Sequence, residues 1–130
     1  MIYDRRVMNP RPLLHLEGTA VLAVSVFAYY SDHGSWGLFA LLFLLPDVSM
    51  VGYLANAQIG AAVYNAVHTY LGPLLLGVYS VSTDHRRPLL LALIWVAHIG
   101  LDRMLGFGLK YPTEFKDTHL SARRHAYILK

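Results

Sequence analysis

The run Pro88-Leu89-Leu90-Leu91-Ala92-Leu93-Ile94-Trp95-Val96-Ala97-His98-Ile99-Gly100-Leu101-Asp102 sets the class of this chain. Ten positions pass without a charge, and the apolar character continues to Gly108. A helix needs roughly 20 such residues to cross a hydrocarbon core, so residues 88–108 read as a transmembrane span. Three earlier stretches have the same length and character, over about residues 12–30, 36–57 and 60–81. Ser31-Asp32-His33-Gly34-Ser35 and Ser82-Thr83-Asp84-His85-Arg86-Arg87 are turns between them. Asn56-Ala57-Gln58-Ile59-Gly60 is the least polar joint. Connections this short make neighbouring helices antiparallel. The expected fold is all-α, an integral membrane bundle of four transmembrane helices with a short amphipathic tail over residues 109–130.

Composition agrees. The 130 residues are 55% hydrophobic and 15% charged, and mean hydropathy is +0.41. Soluble domains carry about 25% charged residues, so the surplus apolar surface asks for lipid as its solvent. A net charge of +3 is too small to argue for nucleic acid. The absence of cysteine excludes disulfides, thiolate ligands and thiol nucleophiles. Met1-Ile2-Tyr3-Asp4-Arg5-Arg6 has no short apolar core, so no cleaved signal peptide is expected.

Basic residues orient the bundle. Arg5, Arg6 and Arg11 precede the first span, while Lys110, Lys116, Arg123, Arg124 and Lys130 follow the fourth. Arg86 and Arg87 lie on the other side. An N-in, C-in arrangement in a bacterial inner membrane is expected. Gly60, Ala61 and Ala62 permit packing between copies, so a homo-oligomer is compatible with the sequence.

Polar groups inside the spans need a reason to persist, because a charge at a helix centre costs roughly 2.5–3.5 kcal/mol on insertion scales. With a rise of about 1.5 Å per residue, His15 and Glu17 lie roughly 5–8 Å from the inner end, Asp47 roughly 13 Å, His68 roughly 12 Å, His98 roughly 15 Å and Asp102 roughly 9 Å. His98 and Asp102 share a helix face at i, i+4, and Asn65 and His68 at i, i+3. Pro46 removes a helix hydrogen bond beside Asp47 and should free a carbonyl there. Imidazoles and carboxylates at one depth suit a divalent metal: zinc, manganese, magnesium or iron. Two simpler arrangements compete: a self-satisfied His98–Asp102 pair, and Asp47 bonded to Asn65 or paired with Arg103.

Leu44-Leu45-Pro46-Asp47, together with His98-Ile99-Gly100-Leu101-Asp102 and the trailing Gly108-Leu109-Lys110-Tyr111-Pro112, resembles the YdjM-like membrane-bound metal-dependent hydrolases. His68 within Val67-His68-Thr69 and the early His15 match that family's further histidines. The chain departs from the family where Ser49 and Met50 follow Asp47-Val48, and where Tyr64-Asn65-Ala66 precedes Val67-His68. Two or three ligands of a fuller site are thereby missing, which implies one metal rather than two. The whole pattern, including Thr118-His119-Leu120, resembles more closely an uncharacterised bacterial family of small four-span membrane proteins.

The expected function is a metal-dependent membrane enzyme, a hydrolase acting on a lipid or other amphiphile from the cytoplasmic leaflet. His15, Asp47, His68, His98 and Asp102 are the expected metal ligands. Glu17 is the expected general base, since burial would raise its pKa toward the working range. It would otherwise be an interfacial carboxylate paired with Arg11 or Arg103. Asn65, Arg103 and His119 are accessory candidates, His119 by folding back over the inner mouth and otherwise as part of an interfacial tail. No motif marks Ser49 as an activated nucleophile. Two other classes remain open at this point. His68 and His98 could be axial ligands of a b-type haem, or the polar groups could serve an ion pathway or an accessory subunit.

Overall fold

The computed structural model describes residues 10–110. Among the described residues are five α-helices and one 3-10 helix: α1 (Arg11–Ser31), α2 (Trp36–Leu42), the 3-10 helix Leu45–Leu54, α3 (Ala57–His68), α4 (Leu71–Thr83) and α5 (Arg86–Leu105). Residues 111–130, which include His119 and most of the expected tail, lie outside the described residues.

Among the described residues, three segments are long and apolar enough to cross a membrane: α1, the stretch Trp36–Leu54, and α5. They mark the chain as an integral membrane protein. Their outward surfaces are apolar, with Leu16, Val24, Phe27, Leu41, Leu44 and Leu54 all exposed. That is the reverse of a soluble fold and suits a lipid solvent. The third span expected over residues 60–81 is instead two shorter helices, α3 and α4, separated at Thr69 and Tyr70. The second is also divided, at Phe43 and Leu44.

Both divisions have the same cause. A proline ring clashes with the carbonyl four residues earlier and supplies no N–H. Pro46 therefore acts on Leu42, the last residue of α2. Pro73 acts on Thr69, whose backbone is extended (φ −94°, ψ 156°) immediately after α3. Beyond the first division the chain tightens, and the Asp47 amide donates to the Leu44 carbonyl at 3.1 Å. Side chains cap the starts of α2 and α3: Ser35 accepts from the Leu38 amide and Asn56 from the Ile59 amide. These caps cover amides that a helix N-terminus leaves open.

The densest packing joins α1 to α5, and it depends on two glycines. A Cβ on Gly18 would sit 2.5 Å from the Met104 amide nitrogen, and one on Gly100 would sit 2.9 Å from that of Leu22. The two backbones therefore touch, as small residues allow in membrane bundles. Arg86 pairs with Asp32 at 3.0 Å at one end of this helix pair, and His15 meets the Met104 carbonyl at the other. The helices are antiparallel. Gly52 and Gly60 make a second close approach between the 3-10 helix and α3, and Gly72 on α4 receives the Trp95 ring of α5.

Candidate metal centre

The two proline breaks and the unbroken α5 converge on one point. Asp47 follows Pro46 at the start of the 3-10 helix, and His68 closes α3 just before the second break. His98 and Asp102 come from one face of α5, four residues apart. One ligand atom from each of these four side chains lies within 4.8 Å of every other. Helix breaks in a membrane are tolerated where they line a protein-enclosed cavity, and here they turn two donors inward.

The spacing is narrow. His68 Nε2 lies 3.4 Å from Asp47 Oδ1 and 3.5 Å from Asp102 Oδ2. His98 Nε2 lies 3.2 Å from Asp47 Oδ1 and 3.3 Å from Asp102 Oδ2. The two Nε2 atoms are 3.3 Å apart. Both imidazoles are buried, Asp102 is 12% exposed at its side chain, and Asp47 is 37% exposed. The same contacts serve as His–Asp ion pairs when an imidazole is protonated, and they can hold a metal when both Nε2 atoms are bare.

Supporting groups aim the rings. His68 Nδ1 donates to the Tyr64 carbonyl at 2.9 Å, which leaves Nε2 as the lone-pair atom of the neutral ring. The Tyr64 ring stacks on His68 with centroids 3.7 Å apart and planes within 9°. His98 Nδ1 is buried without a hydrogen-bond partner among the described residues. The Phe43 ring meets His98 edge to face at 5.6 Å. Second partners of this kind fix the tautomer and orientation of ligating histidines.

The carbonyls released at the end of α3 are also used. Arg103 donates through one Nη to the His68 carbonyl at 2.9 Å and through the other to Phe107. Trp95 Nε1 donates to the Val67 carbonyl at 2.7 Å. Arg103 thus pins the backbone of His68 and does not pair with Asp47. Asn65 exchanges two hydrogen bonds with the Lys110 backbone, at 2.7 and 2.6 Å, and so ties the segment after α5 to α3. Lys110 lies over the Tyr64 ring, 5.1 Å from its centroid. Burial pushes its amine below the usual lysine range, and nearby Asp102 opposes that shift.

Of the five expected ligands, the fold gathers Asp47, His68, His98 and Asp102. His15 stands outside that group: its Nδ1 meets the Met104 carbonyl at 2.9 Å, and its ring fills the space beside Gly106. Glu17 is exposed on α1 and is not among the four gathered donors. The haem alternative has no room, because a macrocycle cannot enter between Nε2 atoms 3.3 Å apart with a carboxylate on either side. Sequence reading missed Pro73, whose effect on Thr69 follows from proline geometry. It also missed Tyr64, which lies i, i+4 before His68 on the same helix face.

Residues 11–122 match a family described as a domain of unknown function, DUF4260. No curated protein and no solved structure matches the chain.

Proposed function

The chain belongs to this family of unknown function, and from its geometry we propose a membrane metalloenzyme in which Asp47, His68, His98 and Asp102 hold one divalent cation. One observation carries the reading. Five of the six edges between the four donor atoms measure 3.2–3.5 Å. A tetrahedral ion with ligands at 2.0–2.1 Å has edges of about 3.3–3.4 Å. An octahedral magnesium ion at 2.0–2.1 Å has adjacent edges of only about 2.9 Å. Two imidazoles with two carboxylates at these spacings therefore favour zinc over magnesium. A dication would also offset the desolvation of two carboxylates in an apolar bundle.

The proposed reaction is hydrolysis of an ester, amide or phosphoester bond in an amphiphile, approached from the leaflet beside Arg11 and Lys110. The positive-inside bias supports reading this as the cytoplasmic leaflet. The resemblance to YdjM-like hydrolases supports this, since the four gathered donors are among the residues that carry it. Four fixed protein ligands would close a tetrahedral site, whereas a catalytic ion keeps one position open. Asp47 supplies the opening. It is the most exposed donor, and it stands on a 3-10 helix, whose hydrogen bonds are poorer than those of an α-helix. When bound, the cation would polarise the scissile group and lower the pKa of a water. Asp47 takes the proton as the water oxygen bonds to the carbonyl carbon or phosphorus. It returns the proton to the leaving oxygen or nitrogen as that bond breaks. His68, His98 and Asp102 hold their positions throughout, and Glu17 has no part in the transfer.

Elemental analysis of detergent-purified protein tests the proposal. About one zinc per chain is expected, with occupancy falling at least tenfold in His68→Ala and His98→Ala. Fatty-acid release from single-chain esters should vanish on chelation and return with zinc. Metal content unchanged by both substitutions would end this reading.

A further inference from the structure

Chain neighbours of the four donors line an apolar cavity of about 300 Å³. Leu42, Pro46, Val67, Leu76, Ile94 and Trp95 line it, with almost no polar atom on its wall. We propose that this cavity seats the acyl chain of a single-chain amphiphile whose head lies at Asp47, His68, His98 and Asp102. The proposal rests on the metal-centre reading and adds the substrate class.

The placement argues for it in three ways. First, the wall and the donors are chain neighbours. Pro46 precedes Asp47, Val67 precedes His68, and Ile94 lies four residues before His98 on the same face of α5. Each of these three wall residues is within one helical turn of a donor. Second, the direction matches a lipid's own polarity. From His98 the cavity runs toward Leu91, seven residues or about 10 Å along α5. On the opposite side of the donors lie Arg103 and Lys110, near the end of the bundle. An amphiphile in that leaflet presents its head and tail in the same order. Third, the cavity is kept apolar: the indole N–H of Trp95, its one strong donor, is already committed to the Val67 carbonyl.

Size sets the class. The volume holds about ten groups the size of a water molecule, whose share of liquid is about 30 Å³. That suits one medium-length chain and not two, and it falls at the lower end of ligand pockets generally. A single-chain ester or amide, or a lysophospholipid, fills it without leaving a second chain outside.

Trp95 provides the probe. With Trp36→Phe as background, Trp95 is the single tryptophan. The protein in detergent is titrated with a fatty acid brominated mid-chain, and metal content is measured on the same samples. Saturable quenching of Trp95 is expected, weakened at least tenfold by Leu76→Phe, which fills the cavity. Leu91→Phe shortens the cavity and should shift the preference toward shorter brominated chains, which guards against a Leu76→Phe variant that fails to fold. Zinc loading should tighten binding of the carboxylate probe about tenfold and leave a brominated neutral-head detergent unaffected. Quenching that rises without saturation and is equal in all variants is ordinary lipid contact, and in metal-loaded protein it overturns the cavity assignment alone. Saturable quenching in protein that binds no zinc overturns the metal reading, and the substrate assignment with it.

Discussion

Replacing Gly100 by alanine tests the closest helix contact and its link to the metal donors in one step. The added Cβ would lie 2.9 Å from the Leu22 amide nitrogen, 3.1 Å from the Gly18 carbonyl oxygen and 3.2 Å from Leu22 Cα. Comfortable carbon contacts need about 3.5–4.0 Å. All three obstacles are backbone, so no rotamer change clears them, and α1 and α5 must part by roughly half an ångström. A radial gap of about 0.5–1 Å forfeits a quarter to a half of each dispersion contact, and overpacking of this kind costs about 1–3 kcal/mol. Alanine also gains about 0.8–1.0 kcal/mol of helix propensity over glycine, which would mask part of that cost. Gly77→Ala supplies the control. It sits mid-helix on α4 with no atom within 4 Å of its would-be Cβ, so it carries the propensity gain alone. The two variants should differ by about 1–3 kcal/mol in equilibrium unfolding by denaturing detergent, followed by helical circular dichroism. Because His98 and Asp102 flank Gly100 on either side, zinc affinity should fall in Gly100→Ala and hold in Gly77→Ala. Equal stability in the two variants would refute the claim that α1 and α5 meet backbone to backbone.

Three further outcomes follow from the site. Pro73→Ala should let α3 run on through Thr69, rotate His68 away from the other donors and reduce zinc occupancy, measured by elemental analysis, while helical circular dichroism rises or holds. Arg103→Lys retains the charge but loses the guanidinium fork that joins the His68 and Phe107 carbonyls. Loss of supporting contacts of this kind typically weakens metal binding about 10- to 100-fold, and competition with a chelator reads that change directly. Lys110 gives a pH signature. Its folded pKa is depressed by burial, so between that value and the ordinary lysine value of about 10.4 the unfolded chain holds a proton that the folded chain lacks. Stability therefore rises with pH across that window, and Lys110→Met should flatten the slope in unfolding measured over mildly alkaline pH.

Hydropathy and spacing alone established the solvent and the residue types of the site. Four long apolar stretches pointed to a bilayer whatever their packing, because backbone polar groups in lipid must be satisfied within helices. The pairing of His98 with Asp102 was also legible, since a regular helix places i and i+4 on one face. What remained hidden was whether the helices stay continuous. Pro46 and Pro73 each cut one, and the cuts determine where Asp47 and His68 point.

Distance was also beyond the sequence. His15 and His68 both look eligible as imidazoles within apolar spans, yet His15 turns to the Met104 carbonyl while His68 is clamped by Tyr64 and Arg103. Glu17 has the chemistry of a base, but α1 leaves it exposed. The chain thus dictated its own solvent and the donors on offer, because apolar length and helical period are local properties. Only tertiary packing determined which four donors lie at 3.2–3.5 Å edges, because that spacing depends on how closely separate helices approach.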